Sequence, residues 1–278
     1  YELQAAEGNL DVTRNYYHYE DEMMRKKTEE HFTADSWSYT EDGYLMFSGT
    51  GALDEMYVMT LSDVKEYAAL RVEPLDEACR EWNEKALLPV GYECNNLFLT
   101  DWDETDFGEL DFYDLFDVFY PQIYHRKIPW QSGKNAGNST VYGIPSKEFE
   151  SVIQKFLNVK TDILRKKTIY REKDDTYEYY PRGFYESEYP EHPYPEVTAF
   201  QENDDGTVTL TVHAVFPYLG SSRALVHEVT VRPMENAAAA VRYVSNKIIS
   251  SLDDPDDNWY VPRLSREERS LLYEENTD

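Results

Sequence analysis

The feature that most constrains the fold is a change of hydrophobic period near residue 167. Downstream of it, apolar and polar residues alternate. Val208, Leu210, Val212, Ala214 and Phe216 share one side of an extended segment, and Leu225, His227, Val229 and Val231 share one side of another. A period of two is the signature of strands with one face on a core. The pattern predicts strands over 167–171, 176–180, 197–202, 207–216, 224–232 and 241–249. Asp204-Asp205-Gly206 supplies a tight hairpin turn, because glycine accepts the left-handed backbone and aspartate bonds its own main chain. Just upstream, Phe149, Val152, Ile153, Phe156 and Leu157 form a helical stripe, and Thr161 is placed to cap a further short helix. One helix followed by a run of antiparallel strands predicts an α+β domain. Its curved sheet would pack on a helix, cone-shaped and cystatin/NTF2-like in outline.

The first half is a mixture of helix and strand. Residues 36–48 read as a hairpin around Glu41-Asp42-Gly43, and 56–61 and 67–72 as two more strands. Pro74 and Asp76 open a helix whose apolar face carries Leu75, Cys79, Trp82 and Ala86, and Pro89 and Gly91 end it. A short strand is expected at 96–99, and a second helix over 109–120 closed by Pro121. The polar, glycine-bearing segment 130–140 reads as a mobile loop or a domain joint. The expected organisation is therefore an acidic tether or N-terminal helix over 1–35, with Tyr16, Tyr17 and Tyr19 available to pack on the body. An N-terminal α+β domain would follow over 36–140 and a C-terminal α+β domain with an antiparallel sheet over 141–278. From Asp253 onward the chain reads as an acidic loop and a short terminal helix.

Charge narrows the partners. With 27 basic and 54 acidic residues the chain carries −27, which repels phosphate backbones and anionic lipid. Nucleic acid is excluded as an expected partner. No stretch approaches the ~18 apolar residues that span a bilayer. A chain opening at Tyr1 rather than methionine is expected to have lost a leader with a lipid-modified cysteine, or to be cut from a longer chain. Membrane contact is thus expected only through that removed anchor. Cys79 and Cys94 match neither a redox motif nor a zinc ligand set. They read as buried thiols, with a disulfide as the alternative in an oxidising compartment.

Several constellations can carry chemistry. Asp101, Asp103 and Asp106 alternate like the start of a calcium loop. However, Asp106 stands where the turn glycine belongs and Phe112 where the closing glutamate belongs, so capping of the following helix is the simpler reading. The acidic run 253–258 reads either as calcium ligands or, more simply, as a solvated turn. His213 and His227 lie on neighbouring expected strands, but the alternation turns them to opposite faces. Tyr180, Phe184, Tyr185 and Tyr189, interleaved with prolines, form the candidate ligand-binding segment, either as an aromatic groove or as a loop packed on the sheet. The familiar nucleophile-elbow, phosphate-loop, dinucleotide and zinc-protease motifs are absent, and no cofactor is expected.

Residues 88–92 (Leu-Pro-Val-Gly-Tyr), Asn95-Asn96-Leu97-Phe98-Leu99 with Trp102, and 110–116 (Leu-Asp-Phe-Tyr-Asp-Leu-Phe) resemble a family of surface lipoproteins of unknown function from Gram-positive anaerobic bacteria. Segments 195–198, 205–210, 227–231 and 243–246 are similar to the same family, so the resemblance spans about residues 36–250. It implies an extracytoplasmic, membrane-anchored or secreted protein and carries over no catalytic residue. The expected function is a non-catalytic binding or structural module at the cell envelope, with a peptide, glycan or protein as its ligand. The alternative is an extracytoplasmic hydrolase using paired carboxylates or calcium.

Overall fold

The computed structural model describes residues 1–6, 8–20, 23–53, 61–129, 141–182, 191–235, 239–252 and 259–274. The chain divides into two compact units, Tyr1–Pro74 with Phe216–Ser222, and Leu75–Val215 with Arg223–Asp278. The first boundary therefore falls near residue 74 and not at the expected joint of 130–140, which lies outside the described residues. Three antiparallel sheets and five α-helices are present among the described residues, so the fold is a mixed α/β one.

The first unit is a meander of β1 (Glu2–Ala6), β2 (Asn9–Glu20), β3 (Met23–Tyr39), β4 (Tyr44–Leu53) and β5 (Leu61–Arg71), paired in that order. The N-terminal region 1–35, expected as a tether or solvated helix, carries β1, β2 and most of β3 among its described residues. The alternation is there but diluted. Leu10 and Val12 are buried on the inner face of β2, and the next inner position is Arg14, which sits directly opposite Glu30 on β3. An ion pair thus replaces an apolar pair, and a count of aliphatic residues misses the strand. The expected hairpin at 36–48 is present, with Gly43 at φ 88° and the Thr40 amide donating to the Tyr44 carbonyl at 2.9 Å. Of the expected strand at 56–61, residues 56–60 lie outside the described residues.

This sheet curls. Flat, β1 and β5 would stand about 19 Å apart at ~4.8 Å per strand. Yet the Tyr1 hydroxyl donates to Glu66 on β5, and the Tyr1 ring meets Phe47 edge-on at 5.8 Å. Arg14 reaches both Glu30, at 3.4 Å, and Glu66. Leu10, Val12, Leu45, Phe47 and Ala68 pack beneath this bridge with Phe32 against them. The Phe32 ring lies over Gly49, where a Cβ would come within 2.3 Å of it.

The second unit begins with α1 (Glu77–Trp82), N-capped as expected by Asp76, whose side chain accepts from the Ala78 amide at 2.9 Å. It continues as one π-helical turn, Asn83–Leu87. Then come β6 (Trp102–Asp103), α2 (Phe112–Tyr124), β7 (Tyr142–Pro145), α3 (Ser146–Phe156) and α4 (Thr161–Lys167). β8 (Tyr170–Arg171), β9 (Thr176–Tyr179), β10 (Tyr194–Glu202), β11 (Val208–Phe216), β12 (Ser221–Pro233), β13 (Val241–Ser251) and α5 (Arg266–Glu274) complete it. The main sheet runs β10-β11-β12-β13-β6 and a small one β7-β9-β8. Aromatic rings lock the helices to both. Phe119 of α2 stacks on Phe156 of α3 at 4.1 Å and on Tyr243 of β13 at 6.2 Å, while Phe149 of α3 stacks on Tyr177 of β9 at 4.5 Å.

Four local expectations give way. α2 passes through Pro121 to Tyr124, the proline leaving the Asp117 carbonyl without its helical amide donor one turn before the end. The helix then ends at left-handed His125 (φ 50°), whose amide returns to the Pro121 carbonyl at 2.8 Å. Residues 96–99 are a turn because asparagine side chains take the backbone bonds. Asn95 Oδ1 accepts from the Leu97 amide at 3.1 Å, and Asn96 Oδ1 from the Asp111 amide at 3.1 Å. The strand expected at 167–171 shrinks to Tyr170–Arg171 because α4 runs through Lys167. Thr161 lies inside α4 and donates to Glu150 Oε2 at 3.2 Å instead of capping. Gly49→Ala is expected to destabilise the first unit by about 1–3 kcal/mol, because the ring of Phe32 has to leave its packed position. Urea unfolding followed by Trp37 fluorescence measures this.

Candidate functional site

The acidic loop ahead of α2 is built from turns. Asp103 Oδ1 accepts from the Thr105 amide at 2.7 Å, the Thr105 hydroxyl at 2.6 Å and the Asp106 amide at 3.0 Å. These bonds, led by the Thr105 hydroxyl, lower the Asp103 pKa. Asp106 Oδ1 accepts from the Gly108 amide at 3.0 Å, and Asp101 Oδ1 from the Ile248 amide at 2.6 Å. Each of the three carboxylates thus faces its own backbone donors. Among the described residues no group of three or more His, Cys, Asp or Glu side chains is arranged to hold a metal ion. Of the aromatic segment, Phe184, Tyr185 and Tyr189 lie outside the described residues. Tyr180 is half-buried, and its hydroxyl donates to Glu178 Oε1 at 2.7 Å.

The densest polar constellation lies further along, on α2. Asp111 caps the helix, its Oδ1 accepting from the Tyr113 and Asp114 amides at 2.8 and 3.1 Å. One turn later Asp114 is fully buried. Its Oδ1 receives Arg182 Nε at 3.0 Å and Arg263 Nε at 2.9 Å, and its Oδ2 receives Arg182 Nη2 and the Tyr260 hydroxyl, both at 2.5 Å. Asp117, the next turn along, accepts from Arg263 Nη2 at 2.6 Å and from the Tyr179 hydroxyl at 2.7 Å. The arginines spend their remaining donors on main chain, Arg182 on the Val261 carbonyl at 2.9 Å and Arg263 on the Tyr180 carbonyl at 2.5 Å. Burial alone would lower the arginine pKa values, but the carboxylates, Asp114 foremost, raise both. Burial, and then the charge of Asp114, pushes Asp111 up to about 6. Burial raises Asp117 too, against the pull of Arg263.

A second buried chain crosses the main sheet. The Tyr92 hydroxyl is 2.8 Å from His227 Nε2, His227 Nδ1 is 2.7 Å from Asn246 Oδ1, and Asn246 Nδ2 donates to the Thr100 carbonyl at 2.8 Å. With the amide so oriented, Nδ1 carries the proton and Nε2 accepts from the tyrosine. Burial lowers the His227 pKa to about 4, so the ring is neutral. His227 alternates with buried Leu225, Val229 and Val231, whereas His213 is the half-buried interruption between Val212 and Ala214. The two histidines therefore fall on opposite faces of the sheet.

Within the first unit, a groove of about 270 Å³ runs between β3, β4 and β5 and the turn Pro217–Leu219. Ser36 and Ser48 face each other across β3 and β4 at 2.8 Å between hydroxyls, with Ser38, Met46 and Tyr67 beside them. Tyr218 packs edge-on against Tyr67 at 4.9 Å, yet it stays 49% exposed, and Leu219 stays 47% exposed.

A family model matches residues 1–263 of the 278. The chain belongs to DUF6070, a family of unknown function. No curated protein and no solved structure matches it.

The sequence reading of this family member placed acids at the start of α2 but did not find Arg182, Tyr260 and Arg263 as their partners. Those residues lie 68, 146 and 149 positions from Asp114, and nothing local marks them. The available signal was an acidic run, 101–117, with eight acids and no base, which needs cations from elsewhere if any of it is buried.

Three outcomes are expected. Asp114→Asn lowers the unfolding free energy by about 3–5 kcal/mol, because two buried guanidinium groups lose their counter-charge. For Asp111 the folded pKa lies above the ordinary 3.8, so its protonated form is favoured and ionisation costs stability as pH rises through about 6. Asp111→Asn keeps the cap acceptor and should raise stability near neutral pH by at most about 3 kcal/mol, a gain absent below pH ~4. His227 has the opposite sense. Its folded pKa is depressed from 6.5 to about 4, so stability falls by roughly 3 kcal/mol as pH drops through that window. The His227→Gln variant should lack that slope in urea titrations run at stepped pH.

Proposed function

We propose that this DUF6070 chain is a non-catalytic binding module of the cell envelope, with the Tyr218 groove as its contact surface. The observation that carries this is the exposure of Tyr218 and Leu219 beside the paired serine hydroxyls. An apolar rim over hydroxyl groups suits a ligand with one apolar face and one hydrogen-bonding edge, such as a glycan or an extended peptide. By contrast, the buried Asp114 and His227 networks spend their hydrogen bonds internally, which suits structural roles. An extracytoplasmic, lipid-anchored setting accords with the −27 charge and with the lipoprotein-like segments around residues 88–120. The cone-like, cystatin/NTF2-like outline belongs to the same proposal, supported by the packing of α3 beside β13, where Leu157 at the end of α3 bridges to Tyr243.

One observation favours hydrolysis as the second reading. Asp111, with its pKa raised to about 6, adjoins a second carboxylate, the arrangement of an acid–base pair.

A thermal-shift screen of glycans, peptides and calcium separates the two. A ligand that binds the folded state raises Tm, by about 2.7 kcal/mol of added stability at a hundred times its Kd. The binding reading expects a hit that is lost in Tyr218→Ala and kept in Asp111→Asn. A hit with unchanged affinity in both Tyr218→Ala and Leu219→Ser refutes the groove. Turnover of the hit, abolished by Asp111→Asn, would establish the hydrolase instead.

A further inference from the structure

Cations are scarce in this chain, 27 against 54 acids, so in an acidic field most are expected to find carboxylates. Three that do not are gathered at one place in the second unit. A shallow depression of about 380 Å³ beside α3 is lined by Lys147, Glu150, Ser151, Gln154, Lys155 and Arg242. Lys147, Ser151 and Lys155 recur at every fourth residue, so they stand in one row on the face of α3 opposite its buried stripe of Phe149, Val152, Ile153 and Phe156. Arg242 comes to the same depression from β13.

The polar neighbours there are already engaged. Glu150 accepts from the Tyr177 hydroxyl at 2.8 Å and the Thr161 hydroxyl at 3.2 Å, and Arg165 stands 3.5 Å from it. Gln154 donates to the Val159 carbonyl at 3.1 Å. Lys155 lies over the Tyr124 ring at 5.9 Å, a contact that leaves its ammonium donors free. Among the described residues none of Lys147, Lys155 and Arg242 forms an ion pair with a carboxylate.

Arg242 adds a second, independent observation. In the β12–β13 register it stands directly opposite Arg232, and like charges so placed destabilise a sheet. Its Nε is also buried without an acceptor from the protein. A side chain that costs the fold on both counts is explained by a ligand that supplies the missing negative charge.

We propose that the α3–β13 depression is an oxyanion site for a phosphate group carrying two or more negative charges or repeating along a chain. Two ammonium groups, a guanidinium and the Ser151 hydroxyl offer donors from several directions, which suits a tetrahedral phosphate better than a planar carboxylate. The site is distinct from the Tyr218 groove and does not rest on it.

Isothermal titration with inorganic pyrophosphate, a glycerol-phosphodiester oligomer and citrate tests the proposal. Both phosphate probes are expected to bind more tightly than citrate, with affinity falling as salt rises. Which phosphate probe binds better distinguishes a free anion from a phosphodiester chain. Arg242→Gln and the double variant K147Q/K155Q should each weaken phosphate binding about ten-fold or more, equivalent to ~1.4 kcal/mol. Arg242→Gln should meanwhile unfold at the same or a higher urea concentration than the parent, since it relieves the repulsion with Arg232, and Arg242→Lys should restore part of the affinity. Absence of phosphate binding by the parent, or equal binding by the parent and both variants, overturns the proposal.

Discussion

The second unit turns on a single carboxylate. Asp114 is buried in a protein with twice as many acids as bases, and it survives there because Arg182, Arg263 and Tyr260 all donate to it. A buried charge without such partners would cost several kcal/mol or lose its proton. The partners come from the end of the β9 strand segment and from the chain ahead of α5. The carboxylate therefore ties two remote stretches of sequence to one turn of α2. The arginines extend the tie by holding the carbonyls of Tyr180 and Val261. A hydrophobic replacement could fill the same volume, but it could not specify which backbone atoms meet there.

Around this lock the aromatic residues do the bulk packing. Two sets of ring contacts, Phe116–Phe149–Tyr177 and Phe156–Phe119–Tyr243, join α2 and α3 to the small sheet and the main sheet of the unit. The buried tyrosines need partners for their hydroxyls and find them: Tyr177 on Glu150, Tyr179 on Asp117, Tyr243 on the Ala86 carbonyl. These buried tyrosines are thus structural, bonding acidic side chains and main chain inside the protein. Among the described residues, the Tyr218 groove keeps an aromatic ring half exposed and the cationic row on α3 keeps its charges unpaired with carboxylates.

The first unit solves the acid problem in another way. Its ion pairs lie on the inner face of a curled sheet, with Arg14 between Glu30 and Glu66 and the hydroxyls of Tyr16 and Tyr1 completing the cluster. Polar residues at inward positions make the strands look like solvated chain in one dimension. Only when β2 and β5 approach across the curl do the charges acquire their neighbours.

What the sequence determined by itself is the local periodicity: the strands β10 to β13, the stripe of α3, the Asp76 cap, and the glycine turns at 43 and 206. These depend on residues within a few positions of one another, where spacing alone decides the side that each occupies. It also determined that His213 and His227 would part, since alternation is a local rule. The tertiary structure alone decided that β1, β2 and β3 form at the N-terminus, that Asp114 receives Arg182, Arg263 and Tyr260, and that Arg242 faces Arg232 and joins the lysines of α3. Each of these follows from charges meeting across long sequence separations, and the Coulomb and desolvation energies that fix them depend on distance in space, which spacing along the chain does not encode.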